Sequence, residues 1–96
     1  MRFTWDEQKN RSNKTKHGVS FETAVLVFSN PYHLSRPDQE GEGEMRWHTL
    51  GMVQATEVLL VVHTVSEPGA GQEETIRLIS ARKATPRERS IYAQGL

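Results

Sequence analysis

Ninety-six residues, 35% of them apolar and 25% charged, suffice for one domain around a single sheet and are too few for two cores. There is no cysteine, which excludes a disulfide framework and a thiolate metal site and fits a reducing cytoplasm; the longest apolar run, residues 58–62, is far too short to span a bilayer. The 12 basic and 12 acidic side chains cancel but are segregated, with +3 over residues 1–36, −7 over residues 37–74 and +4 over residues 75–96. Two basic ends and an acidic middle either fold into a basic groove with an acidic flank, as RNA requires, or leave scattered solvated charge. The N-terminus lacks the apolar stretch of a signal peptide, so the chain reads as soluble and cytoplasmic.

Residues 1–5 alternate, Phe3 and Trp5 to one side and Arg2 and Thr4 to the other, which predicts a half-buried first strand. Asp6 can cap a helix running to about Lys16, yet this stretch holds no large apolar residue. Such a helix is frayed, tied by polar contacts, or presented as a binding surface. Lys9, Asn13 and His17 recur every four residues and share one side, where they bond to loop backbone or meet phosphate. Gly18 reads as a left-handed C-cap, with Lys16 and His17 at the negative helix end. Ser20 then caps a second helix whose core side is Phe21, Ala24, Val25 and Phe28, and Asn30-Pro31 stops it.

A short strand is compatible with residues 32–37, and residues 38–43 form an acidic, glycine-rich turn. Residues 44–53 read as a long strand, with Glu44, Arg46 and His48 on one side and Met45, Trp47 and Thr49 on the other. Gly51 interrupts it and implies a bulge or the close approach of another backbone. Residues 58–65 form an almost continuous apolar run apart from His63 and Thr64, as in a central strand covered on both sides, and residues 75–83 return after a hairpin loop. Thr85-Pro86-Arg87-Glu88 is a capping box with proline at the first helical position, so a last helix starts there. The order β-α-α-β-β-β-α describes one α+β domain over residues 1–96: a small antiparallel sheet with two N-terminal helices and one C-terminal helix.

The final strand and helix gather Arg77, Arg82, Lys83, Arg87 and Arg89 around a single acid, Glu88, a surface suited to a phosphate chain. Arg77 and Arg82 differ in strand parity, so only a bulge or the strand end can bring both to one site. No glycine-rich phosphate loop, metal-binding helix motif or Gly-x-Ser-x-Gly elbow is present, and His17, His33, His48 and His63 lack zinc-like spacing.

The ordered set Trp5-Asp6, Lys9, Asn13, Lys16-His17-Gly18-Val19-Ser20-Phe21-Glu22, Gly43-Glu44-Met45-Arg46-Trp47, Leu59-Leu60-Val61-Val62-His63-Thr64, Ile79-Ser80-Ala81-Arg82-Lys83-Ala84 and Glu88-Arg89 with Tyr92 resembles the BrnT family over nearly the whole chain. That resemblance implies a fold related to the RelE-type ribonucleases and an RNA-cleaving activity that arrests growth. It also implies a BrnA-like antitoxin that forms a hetero-oligomer with the toxin and represses their shared promoter, so that DNA is met only through the antitoxin. Metal-independent cleavage needs a base for the ribose 2′-hydroxyl, cations for the developing phosphorane charge and an acid for the leaving oxygen. Glu44 is then the candidate base, Arg46, Arg77 and Arg82 the charge stabilisers, and His48 or Tyr92 the proton donor. Lys9, Asn13, Lys16, His17, Lys83 and Arg87 are the candidate RNA contacts; no cofactor or metal is called for. The competing reading is a non-catalytic binding module, or a decayed toxin, acting through a protein partner whose basic arm the acidic middle receives.

Overall fold

The structure, a computed structural model, describes residues 1–38 and 43–95, so the acidic turn expected over residues 38–43 lies almost wholly outside the described residues. The elements run β1 (Arg2–Thr4), α1 (Glu7–His17), α2 (Phe21–Ala24) continuing into a 3-10 segment (Val25–Ser29), β2 (Leu34–Asp38), β3 (Arg46–Val53), β4 (Glu57–Ser66), β5 (Thr75–Lys83) and α3 (Pro86–Gln94). One sheet forms in the order β1-β5-β4-β3-β2. The short strand compatible with residues 32–37 is present as β2. Strands β2 to β5 pair antiparallel, whereas β1 lies parallel to β5, with Arg2 opposite Thr75. The antiparallel sheet expected from the sequence is thus present, with one parallel edge added by β1.

Strand β4 is central and feeds two cores from its two sides. Leu59 and Val61 pack with Phe21, Ala24, Val27 and Leu78 on one side of the sheet; Val58 and Leu60 pack with Leu50 and Ala84 on the other, against Ile91 and Tyr92 of α3. Each large aliphatic or aromatic side chain buried this way stabilises by roughly 1.5–3 kcal/mol. The second helix differs from the single α-helix predicted. Its α-helical part is four residues long and tightens into the 3-10 segment, whose period of about three aligns Phe21, Ala24 and Val27 inward. Val25 and Phe28, inward on an α-helical period, are only partly buried.

Helix α1 resolves the puzzle of a helix without an apolar stripe, because its buried residues are Asn10 and Asn13. Asn13 Nδ2 donates to the carbonyls of Val19 (2.8 Å) and Ala81 (2.7 Å), while its Oδ1 accepts from Ala81 N (3.1 Å). Asn10 Oδ1 accepts from Phe21 N, and its Nδ2 donates to Glu7 and Glu22. Asp6 caps the start by accepting from Gln8 N and Lys9 N, and Gly18 ends the helix in the left-handed region at φ 73. At Gly51 a Cβ would stand 2.7 Å from Val27 Cγ1 and 2.9 Å from Val27 O, the close backbone approach its place in the strand implied.

Candidate functional site

One side of the sheet is covered by α1, α2 and the 3-10 segment, and α3 covers one end of the other. The side chains left at the uncovered end follow from the register. Arg46 lies opposite Thr64 and Asp38, and His48 opposite Val62 and Arg36, so Arg36, Asp38, Arg46 and His48 share the α3 side. On β5 the pairing runs regularly from Leu59–Lys83 to Val62–Ser80 and then jumps to His63–Leu78 and Thr64–Arg77. Ile79 is the extra residue of a β-bulge, and it flips the parity of everything before it. Arg77 therefore joins Thr64, Val62, Ser80 and Arg82 on the same side. The condition set by the sequence for Arg77 and Arg82 to act together is met by this one inserted position.

Along the β4–β5 ladder the two arginines are four paired positions apart, roughly 13 Å at about 3.3 Å per residue, too far for adjacent phosphates and suited to phosphates further apart along one strand. Arg36, Arg46 and Arg77 are exposed. Arg82 is held: its Nη1 and Nη2 donate to Glu88 Oε1 (2.7 Å) and Oε2 (3.0 Å). These hydrogen bonds keep the guanidinium above and the carboxyl below their ordinary ranges. His48 Nε2 sits 3.3 Å from Asp38 Oδ2, a cross-strand contact with both side chains partly exposed. Arg36 and Asp38 escaped the sequence reading, although the alternation of residues 34, 36 and 38 in a short strand was the signal that marks them.

Other candidates fall elsewhere. Glu44 precedes β3, which begins at Arg46 and not at residue 44, so strand alternation does not place Glu44 beside Arg46; it lies exposed on the bend leading into the strand. The Tyr92 hydroxyl donates to Asn30 Oδ1 (2.7 Å), the same atom that faces Met52 N (3.5 Å). That puts it six residues, or roughly 20 Å, along β3 from Arg46. Asn13 is spent on backbone and buried, which is the loop-bonding alternative and leaves no surface for RNA. Lys9, Lys16 and His17 ride on α1, across the sheet from the arginines. Lys83 pairs with Glu57 at 3.3 Å, and Arg87 is exposed on the first turn of α3.

Buried on the helical side, His63 contributes Nε2 to a 2.7 Å hydrogen bond with Thr49 Oγ1, which meets Ser35 Oγ at 2.7 Å, and its ring lies edge-on to Phe28. Desolvation pushes its pKa down to about 4, so it is a neutral packing residue and not part of the exposed face. Among the described residues, no three His, Asp or Glu side chains gather as a metal site, and no helix is long and apolar enough to cross a membrane.

An α+β domain that turns an arginine-bearing, histidine-bearing sheet face outward offers a surface of the kind that attracts a polyanion. Comparison with known proteins makes this specific. The family described as "Ribonuclease toxin, BrnT, of type II toxin-antitoxin system" matches residues 5–88, and the chain belongs to that family. Its fold is similar to the 1.1 Å crystal structure of the Brucella abortus ribonuclease toxin BrnT, with a TM-score of 0.61 and 23% identity over 88% of this chain and 97% of that one. No curated protein sequence matches the chain.

Proposed function

We propose that this chain is an endoribonuclease toxin that arrests growth by metal-independent cleavage of RNA and is neutralised by a BrnA-like antitoxin. Membership of the ribonuclease-toxin family supports the reading. The observation that carries it to particular residues is the bulge at Ile79, which aligns Arg77 and Arg82 with Arg46 and His48 on one exposed face. A single strand laid across that face has its phosphates met by Arg46 and Arg77, whose charge opposes the negative charge that builds on the phosphorane. His48, steadied by Asp38, is the group on this face able to carry a proton to the leaving oxygen. Glu44, exposed on the bend two residues before Arg46, is the proposed base for the 2′-hydroxyl.

Induced expression followed by growth and RNA-integrity measurements tests the proposal. The parent halts growth and fragments RNA. Arg46→Ala and Arg77→Ala, at equal protein levels, slow cleavage of a purified RNA by about 10²-fold or more, the typical cost of deleting one charge stabiliser. Growth arrest with intact RNA would instead support a module acting through a protein partner.

A further inference from the structure

Arg82 has five N–H donors, and the structure shows where three of them go. Nη1 donates to Glu88 Oε1 and to the Lys83 carbonyl (3.2 Å), and Nη2 donates to Glu88 Oε2. Among the described residues no acceptor takes Nε–H or the outer hydrogen of Nη2, which lie parallel along one edge of the guanidinium plane. That edge matches two oxygens of a phosphodiester as a bidentate fork. Glu88 is itself fixed, because its Oε1 also accepts from Thr85 N at 2.8 Å. The guanidinium is thus anchored through Glu88 and Lys83 to the backbone at the end of β5, while its side chain stays 37% exposed. Among the described residues, Arg46 and Arg77 form no ion pair and have no such anchor.

We infer that Glu88 is a positioning residue of the RNA site: it locks Arg82 so that the free Nε–Nη2 edge is presented to one backbone phosphate of the substrate. The inference rests on the proposed ribonuclease reading and extends it to a residue that touches no RNA. It also makes a prediction opposite in sign to simple electrostatics. Removing an acid beside a phosphate site favours RNA binding by charge alone, whereas here its removal unlocks the fork and disfavours the reaction.

The experiment compares the parent with Glu88→Gln, Arg82→Lys and Thr85→Ala on a short single-stranded RNA. Gln at this position can still reach back to the Thr85 amide, so α3 keeps its start. Glu88→Gln is expected to bind RNA as tightly as the parent or tighter, yet to cleave it about 10²-fold more slowly. Arg82→Lys, which keeps the charge and loses the fork, falls by a similar factor. Thr85→Ala loses a cap and keeps the ion pair, so its rate stays near that of the parent. The second readout is the 15N signal of Arg82 Nε–H during titration with the same oligonucleotide carrying a 2′-deoxy block. The parent signal shifts on binding and that of Glu88→Gln does not. A parent signal that stays still on saturation, or Glu88→Gln cleaving as fast as the parent, overturns the inference even if RNA is cut. A signal that shifts in the parent and not in Glu88→Gln, without cleavage, overturns the ribonuclease reading and leaves only the part of the inference that concerns binding, the positioning of Arg82 on an RNA phosphate.

Discussion

His63 and Gly51 show how single residues of this chain are committed to packing. Because burial lowers the folded-state pKa of His63 to about 4 from the ordinary 6.5, the unfolded chain takes up a proton that the folded chain refuses between those values. Stability is therefore fully present above pH 6.5 and declines as pH falls toward 4, by about 2 kcal/mol at pH 5 if this group acts alone. Denaturant midpoints at pH 7 and pH 5 should show the loss in the parent, and His63→Gln should remove most of that difference. A pH-independent midpoint in the parent would mean that His63 is solvated. At Gly51 the side-chain space is filled by Val27, both its methyl and its carbonyl oxygen. Since backbone cannot swing aside as a flexible side chain can, Gly51→Ala should cost about 1–3 kcal/mol through overpacking, read as a lower thermal midpoint.

At the scale of elements, the two long helices are secured by opposite means. Helix α3 starts from a capping box, with Glu88 N donating to Thr85 Oγ1 (3.2 Å) and Thr85 N to Glu88 Oε1. Thr85→Ala should accordingly lower stability by about 1 kcal/mol without abolishing the fold. Helix α1 depends on an interior hydrogen-bond clamp. Asn13→Ala strands the carbonyls of Val19 and Ala81 and the amide of Ala81 in a buried site, each costing about 1–3 kcal/mol when unsatisfied. Urea unfolding should rank Asn13→Ala well below Thr85→Ala; the reverse order would mean that α1 is held by its caps. The sequence marked Asn13 as special through its spacing with Lys9 and His17, but could not say which way it pointed. With no apolar residue to set the inward side, only the docking of α1 beside Ala81 decides that the asparagine turns in and the lysines out.

For the whole molecule, the described strands and helices place the arginines on a pleated face that lacks a helix able to enter a major groove. The free chain is expected to occupy no specific operator, whereas its complex with the antitoxin should. A gel shift at physiological salt checks this, and saturation of the promoter by the isolated chain at nanomolar concentration would contradict it. The acidic middle segment does not form one block in the fold: Glu57 pairs with Lys83 at one end of the sheet, while Glu73 binds the N-terminal amine at the other.

What the sequence determined by itself is what depends on neighbours a few residues apart. Period-2 alternation marked β1 and β3 and a continuous apolar run marked β4, Asp6 and Gly18 marked the ends of α1, Ser20 the start of α2, Thr85 to Glu88 the start of α3, and Gly51 a close approach. Ordered motifs named the family. Three features needed the tertiary structure. The strand start at Arg46 left Glu44 outside the ladder, because pairing with β2 ends at Asp38. Tyr92 was drawn to Asn30, sixty-two positions away, by a hydrogen bond that no local pattern records. Above all, the bulge at Ile79 arises from how β5 fits against β4, and a one-residue slip in that fit decides whether Arg77 faces the core or joins Arg46, His48 and Arg82. Local spacing fixes which residues can share a side; long-range pairing fixes which do.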